Sequence, residues 1–289
     1  MVERKIQLKD VNGVSAGRTA LIVCPRPWRY HMIALTLGDT AVGNGNAPAV
    51  SAIVNEIRLN YFNGIQRRAT GAQIDAINLG MSQDGLTQYG SSAAISGGAN
   101  GTGRTILPIF LREPWRKRSA DSDALAWQTG FFSAADKLIV EVDLVAGITP
   151  VLTACAIVDD FNAGRPHPIM KWDKNDAPAV GTPIEFNKLD RRDAYAQLSI
   201  FDTSDAKTID RIRIVQASTE IHDLTKQENA ELLRGNDMNP EAGVYHVVFD
   251  LDDDLSSVVP AQGLQLTATP SAAANGTMPI VTQRIGLPE

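Results

Sequence analysis

The sequence predicts an all-β chain made of two copies of one strand-rich fold. Three observations carry that expectation. Short runs of alternating polarity dominate, 23 glycines and 15 prolines punctuate them, and the pattern repeats at a spacing of 155 residues. A side-chain period of two marks strands buried on one face, and Gly and Pro between such runs mark turns. At 289 residues the chain suits two domains of ordinary size.

The strands follow in order. Arg18–Cys24 and Tyr30–Leu37 come first. Ile53–Phe62 sets Ile57, Leu59 and Tyr61 on one face and Arg58 and Asn60 on the other. Arg104–Leu111 follows, then Lys137–Val145, where Leu138, Val140, Val142 and Leu144 alternate with Glu141 and Asp143, then Pro150–Val158. The stretch Asp159–Pro168 reads as a linker. Beyond it come Thr182–Leu189, Asp193–Phe201, Ile209–Gln216, Val244–Leu251, Gly263–Thr269 and Met278–Ile285. This division gives domains 1–162 and 163–289.

Two helices interrupt the strands, starting at Thr70 and Thr225. Each opens with a capping box, Thr70 with Gln73 and Thr225 with Glu228. The hydroxyl accepts a free backbone N–H, and the side chain three residues on answers the cap's own N–H.

The repeat joins the halves. A shift of 155 lays Ile57 on Ile212, Leu59 on Ile214, Thr70 on Thr225, Gln73 on Glu228 and Ile77 on Leu232. At other shifts Leu35–Thr40 matches Leu198–Thr203, Pro108–Phe110 matches Val247–Phe249, and Leu138–Val142 matches Leu264–Ala268. Each copy is expected to hold about eight short antiparallel strands in two packed sheets, with its helix between the fourth and fifth strands. The first copy adds a Gly- and Ser-rich loop, 80–103.

Composition narrows the function. The net charge of −6 argues against a whole-chain clamp on nucleic acid. No run of about 18 apolar residues could cross a bilayer as a helix. The charged opening Met1–Lys9 lacks the apolar core of a secretion signal. Cys24 and Cys155 lie in apolar stretches and are expected to be buried reduced thiols; two cysteines make no disulfide framework.

Catalytic constellations are sparse. His31, His167, His222 and His246 form no HxH or HExxH pair, and no GxSxG elbow occurs. Gly98–Gly103 lacks the lysine of a phosphate-binding loop. Asp250, Asp252, Asp253 and Asp254 cluster as calcium ligands would, so Asp250, Asp252 and Asp254 are calcium candidates. Against that, Leu255 stands where a calcium loop needs glycine and no Glu closes the loop, which favours a solvated turn without metal. The basic runs Arg112–Arg118 and Pro25–Tyr30 each mix cations with tryptophan; they could touch anionic lipid or nucleic acid, but read first as exposed loops whose tryptophan packs on a neighbour.

The strand ending Ile57-x-Leu59-x-Tyr61, then Asn63-Gly64-Ile65, then Thr70–Asn78, resembles the first half of the major capsid proteins of PM2-type icosahedral phages with an internal membrane. Ile109–Trp115 resembles a Phe-x-x-x-Pro-Trp corner in the same family. The resemblance implies two tandem eight-stranded jelly rolls and no enzymatic activity. It implies a homotrimer of hexagonal outline in the virion capsid, with neighbouring capsomers, penton and membrane proteins, and an internal lipid membrane as its surroundings. It implies synthesis in the host bacterial cytoplasm and no specific nucleic-acid partner. No cofactor is expected, calcium being the one candidate. Two other classes stay open. A glycan hydrolase on paired jelly rolls needs convergent carboxylates, for which Asp159 and Asp160 are candidates that a turn explains equally. A carbohydrate-binding protein or adhesin needs aromatics gathered on one sheet, whereas aromatics are 6% and scattered.

Overall fold

In the computed structural model of the chain, the described residues are 2–41, 46–81, 93–95, 102–114, 123–133, 135–181, 183–186, 189–190, 192–202, 209–240, 243–251, 257–271 and 274–288. The chain forms two compact units, one of Met1–Asn78, Tyr89–Met170 and Leu287–Glu289, the other of Leu79–Gln88 and Lys171–Gly286. The main change between units thus falls at Met170, a little beyond the linker read at Asp159–Pro168 and the boundary expected at 162/163. Most of the Gly-rich loop 80–103 lies outside the described residues.

The first unit holds strands β1 (Arg4–Leu8), β2 (Asp10–Asn12), β3 (Thr19–Cys24), β4 (Arg29–Asp39), β5 (Val54–Tyr61), β6 (Gly64–Ala69), β7 (Ala93–Ile95), β8 (Arg104–Phe110), β9 (Trp127–Gln128), β10 (Leu138–Leu144) and β11 (Pro150–Asp159). Helix α1 (Val50–Ile53) precedes β5, and α2 (Gly71–Gly80) follows β6. One antiparallel sheet runs β1-β11-β4-β8-β7, with β9 also on β4; the other runs β6-β5-β10-β3-β2. Alternation decides what they bury. Leu138, Val140, Val142 and Leu144 of β10 and Ile57, Leu59 and Tyr61 of β5 are all within 1% of fully buried, as are Ile33, Leu35 and Leu37 of β4. Each such aliphatic side chain contributes about 1.5–3 kcal/mol.

The second unit holds β12 (Ile169–Gly181), β13 (Ile184–Glu185), β14 (Ala194–Phe201), β15 (Ile209–Gln216), β16 (Thr219–Thr225), α3 (Lys226–Gly235), β17 (Val244–Val248), β18 (Val259–Pro260), β19 (Leu264–Pro270) and β20 (Ala274–Gly286). Its sheets run β17-β14-β20-β12 and β13-β19-β15-β16, with β18 on β14. Tyr195, Leu198, Ile200, Ile212, Ile214, Leu266 and Ile280 meet in its core.

The two units share one pairing scheme, to which the first adds β2 on β3 and β7 on β8. β1, β11, β4 and β8 of the first correspond to β12, β20, β14 and β17 of the second; β3, β10, β5 and β6 correspond to β13, β19, β15 and β16. The repeat read from sequence is therefore a repeat of topology. It extends to the hairpins. Phe62 and Asn63 join β5 to β6 with φ of +54° and +68°; Ala217 and Ser218 join β15 to β16 with +47° and +70°. Two consecutive left-handed residues make the type I′ turn whose twist suits a two-residue hairpin. A bulge follows at Leu59/Asn60 in one unit and at Ile214/Val215 in the other, again 155 positions apart.

Three details differ from expectation. β1, pairing Arg4–Leu8 with β11, is a strand the sequence did not suggest, as are β2 and β12, so six strands precede α2 and five precede α3 against the four anticipated. The charged opening hid β1 because only Leu8 of the five residues is fully buried. Cys24 is buried as expected, but Cys155 is exposed. Strand β11 turns Ala154 and Ala156 inward, both 1% exposed, so the residue between them must face out. In α3 the buried leucine is Leu233; Leu232 is 42% exposed, although Ile77, its partner in the repeat, is buried.

Candidate functional site

At one end of the first unit a chain of charges crosses five segments. Arg29 and His31 stand on β4, Asp159 ends β11, Arg112 and Asp123 flank the stretch after β8, and Glu3 precedes β1. Asp159 Oδ2 accepts from Arg29 Nη2 at 2.5 Å and lies 2.9 Å from His31 Nε2. Its Oδ1 accepts the Phe161 N–H at 2.9 Å. Asp123 lies 3.5 Å from Arg29, 3.4 Å from His31 Nδ1 and 3.2 Å from Arg112, and Arg112 reaches Glu3 at 2.6 Å. Burial raises the pKa of Asp159, but hydrogen bonds from Arg29, Phe161 and His31 and the Arg29 charge outweigh it and hold the carboxyl near 2. A carboxylate kept ionised this firmly accepts and does not donate. Asp160 beside it points to solvent, 4.0 Å from Arg4. The pair proposed as hydrolytic carboxylates is thus one buried structural anion and one surface residue.

Next to this network lies a second buried cation. Arg67 of β6 donates Nε–H to Met170 O at 2.9 Å, donates Nη1–H to Phe110 O, and stacks 5.1 Å over Trp127. Trp127, Tyr61, Phe62, Phe131 and Phe132 form one aromatic cluster, with Tyr61 and Trp127 at 4.8 Å and Tyr61 and Phe132 at 5.0 Å.

The outward faces of the β5 and β15 sheets carry ion pairs at equivalent positions. Arg58 on β5 meets Glu141 and Asp143 of β10 at 2.8 and 2.7 Å, and Glu56 at 2.8 Å. Arg213, 155 positions on, meets Glu220 of β16 at 2.8 Å, and Arg211 meets Asp223 at 2.6 Å. Charges of both signs along a sheet face keep it solvated and resist sheet stacking.

The second unit has a buried polar row. Ser199 Oγ lies 2.9 Å from His246 Nδ1, Gln283 Nε2 donates to Gln197 Oε1 at 2.8 Å, and Asn229 of α3 donates to the His246 carbonyl at 2.7 Å. Burial, helped by the Lys226 charge, pushes His246 down to about 4. His222 is pushed to about 4 by burial against the pull of Asp223, and its Nε2 lies 3.2 Å from Tyr245 Oη. A serine beside a histidine suggests a nucleophile. Here both side chains are sealed from solvent, at 0% and 2% exposure, and among the described residues no carboxylate orients the ring, so the pair packs and does not react.

The calcium candidates separate. Asp250 is buried and partnered, so the solvated turn expected there does not hold at its first residue. The cause is local: the Phe249 N–H still donates to Ala196 O at 3.0 Å, which keeps the chain along β14 for one residue past the strand. Asp252, Asp253 and Asp254 lie outside the described residues. Among the described residues no group of three or more His, Cys, Asp or Glu could hold a metal. Of the basic run, Arg112 is the ion-paired residue above, and Trp115–Arg118 lie outside the described residues. In the other run, Arg29 is buried against the exposed loop expected, because β4 begins one residue before the strand read from Tyr30 and draws it into the sheet.

Sequence reasoning missed the charge network, since its members stand up to 130 residues apart and show no local spacing.

Among solved structures, the chain is similar to the major capsid protein P2 of bacteriophage PM2, with a TM-score of 0.77 and 16% identity over 100% of this chain and 98% of that one. It is similar to a PBCV-1 virus capsid chain (TM-score 0.69, 9% identity, 100% and 96% covered). It is also similar to a Sulfolobus turreted icosahedral virus chain (TM-score 0.66, 10% identity, 98% and 90% covered). No curated protein matches the sequence. Residues 5–159 match the viral coat protein P2 N-terminal domain and residues 177–288 the viral coat protein P2 C-terminal domain. With both domains present in order, the chain belongs to the viral coat protein P2 family.

Proposed function

We propose that this major capsid protein stands in the virion shell as a homotrimer of hexagonal outline, above an internal lipid membrane. The observation that supports the reading is the repeated topology. Two units with one pairing scheme in each chain give a trimer six equivalent bodies, which suits packing in a hexagonal lattice. A shell protein calls for rigid sheets and wide lateral contacts, and the coat protein family is structural, not enzymatic. Neighbouring trimers, penton and membrane proteins are its proposed partners, and the host cytoplasm its place of synthesis.

Light scattering on the purified protein, with micrographs of its assemblies, tests this. A trimer burying more than about 2,000 Å² is expected, the scale of obligate interfaces. A stable monomer at micromolar concentration would sink the reading. The acidic run Asp250–Asp254 is proposed to hold no structural metal, so a chelator should leave the melting curve unmoved. A chelator-sensitive curve made insensitive by Asp252→Asn with Asp254→Asn would reverse that.

A further inference from the structure

The two ends of the first unit differ in composition. From one end leave the connections that follow β4 and β6, the latter containing the Gly-rich stretch 80–103. At the other end lie the β3–β4 connection, the β5–β6 hairpin, the stretch between β8 and β10, and the exit from β11. Each of these four carries an aromatic residue that keeps some solvent exposure: Trp28, Phe62, Phe131 and Phe161. Phe161 is 38% exposed, and Ile65 beside Phe62 is 54% exposed. Phe62 and Phe131 touch at 5.8 Å.

Cations sit among the rings. Arg4 lies 5.5 Å over Trp28 and 4.0 Å from Asp160. Arg26 donates to the carbonyls of Phe132 and Ser133, with Asp136 the nearby carboxylate. Lys137 is exposed at the start of β10.

The fold does not require this. The equivalent hairpin of the second unit reads Ala217-Ser218-Thr219-Glu220, without an aromatic. Part-exposed rings with cations between them are the composition of a membrane–water interface: the rings enter the headgroup layer and the cations meet phosphates.

We propose that this end of the first unit rests on a lipid headgroup surface, through Phe62, Phe131 and Ile65 with Arg26 and Lys137. The proposal deepens the internal-membrane reading and rests on it.

The test is sedimentation of the purified coat protein with vesicles of phosphatidylethanolamine and phosphatidylglycerol. Phe62→Asn with Ile65→Ser keeps the turn, because Asn accepts the left-handed backbone that Phe62 adopts. Partitioning should fall about tenfold in this double variant, with the fold retained, read as an unchanged far-ultraviolet circular dichroism spectrum. Ile221→Ser, on an exposed second-unit residue, should bind as the parent does. Lys137→Gln should flatten the dependence on phosphatidylglycerol content, a readout that does not touch the turn. No vesicle binding by the parent, equal binding by parent and double variant, or capture of the parent by another virion protein in place of vesicles overturns the proposal. Lipid extraction of the virion separates the two readings: lipid-free virions overturn the internal membrane itself, whereas virions with lipid but no vesicle binding overturn only this contact.

Discussion

Asp159 accepts from Arg29, His31 and the Phe161 N–H at once, with Arg29 and His31 almost fully buried. Replacing it by asparagine keeps the shape and removes the charge that compensates Arg29. Breaking one partner of a buried pair costs about 3–5 kcal/mol, so Asp159→Asn should lower the melting temperature sharply. Asp160→Asn, at a solvent-exposed ion pair, should change stability by less than about 1 kcal/mol. Similar melting curves for the two variants would show that the network carries no stability. A second residue-scale test lies at Ser218, which holds φ of +70° where the first unit has Asn63 at +68°. Asn tolerates the left-handed region better than Ser, and the gain does not come with the added chain entropy of glycine. Ser218→Asn should therefore stabilise by about 0.5–1 kcal/mol, read as a higher melting temperature. Neither site was visible in the sequence, because charge partners and backbone signs depend on segments far apart in the chain.

At the scale of elements, the capping boxes were legible because they are local. In α2 the Thr70 N–H donates to Gln73 Oε1 at 2.9 Å and the Gln73 N–H donates to Thr70 Oγ1 at 3.1 Å. In α3 the same two bonds join Thr225 and Glu228, at 2.8 and 3.2 Å. Thr70→Ala and Thr225→Ala should each cost about 1 kcal/mol in denaturant midpoint. They stand in equivalent places of separate units, so the double variant should cost the sum; strong non-additivity would mean that the two helices do not act independently. What was less legible is which side of an element faces in. Cys155 looked apolar among Ala154 and Ala156, yet β11 fixes its direction by alternation alone. Leu232 and Leu233 are adjacent, and only packing against the unit selects Leu233. Strand β1 was hidden because a single fully buried residue, Leu8, is a weak pattern.

For the whole molecule, the repeat made the topology readable, since strand order and helix position survive even where side chains drift. What it did not carry is the response to acid. His246 and His222 both sit in the second unit with pKa values near 4, pushed down by burial from an ordinary 6.5. Unfolding returns each ring to water, where it binds a proton below about pH 6.5. Between pH 6.5 and 4 the unfolded chain therefore holds more protons than the folded one, and stability falls as pH falls. It is full above 6.5 and stops declining from this cause below 4. The buried His246 alone accounts for a loss on the order of 3 kcal/mol at most. Asp159 and Asp190, both held low by their arginines, take up protons only below about pH 4, so the window from 6.5 to 4 belongs to histidine. His246→Asn keeps an acceptor toward Ser199 without a titrating ring. Its denaturant midpoint should start lower at pH 7.5 and then change less than the parent's between pH 6.5 and 4.5. Equal slopes in parent and variant over that range would show that the buried histidine does not set the acid sensitivity of the coat protein.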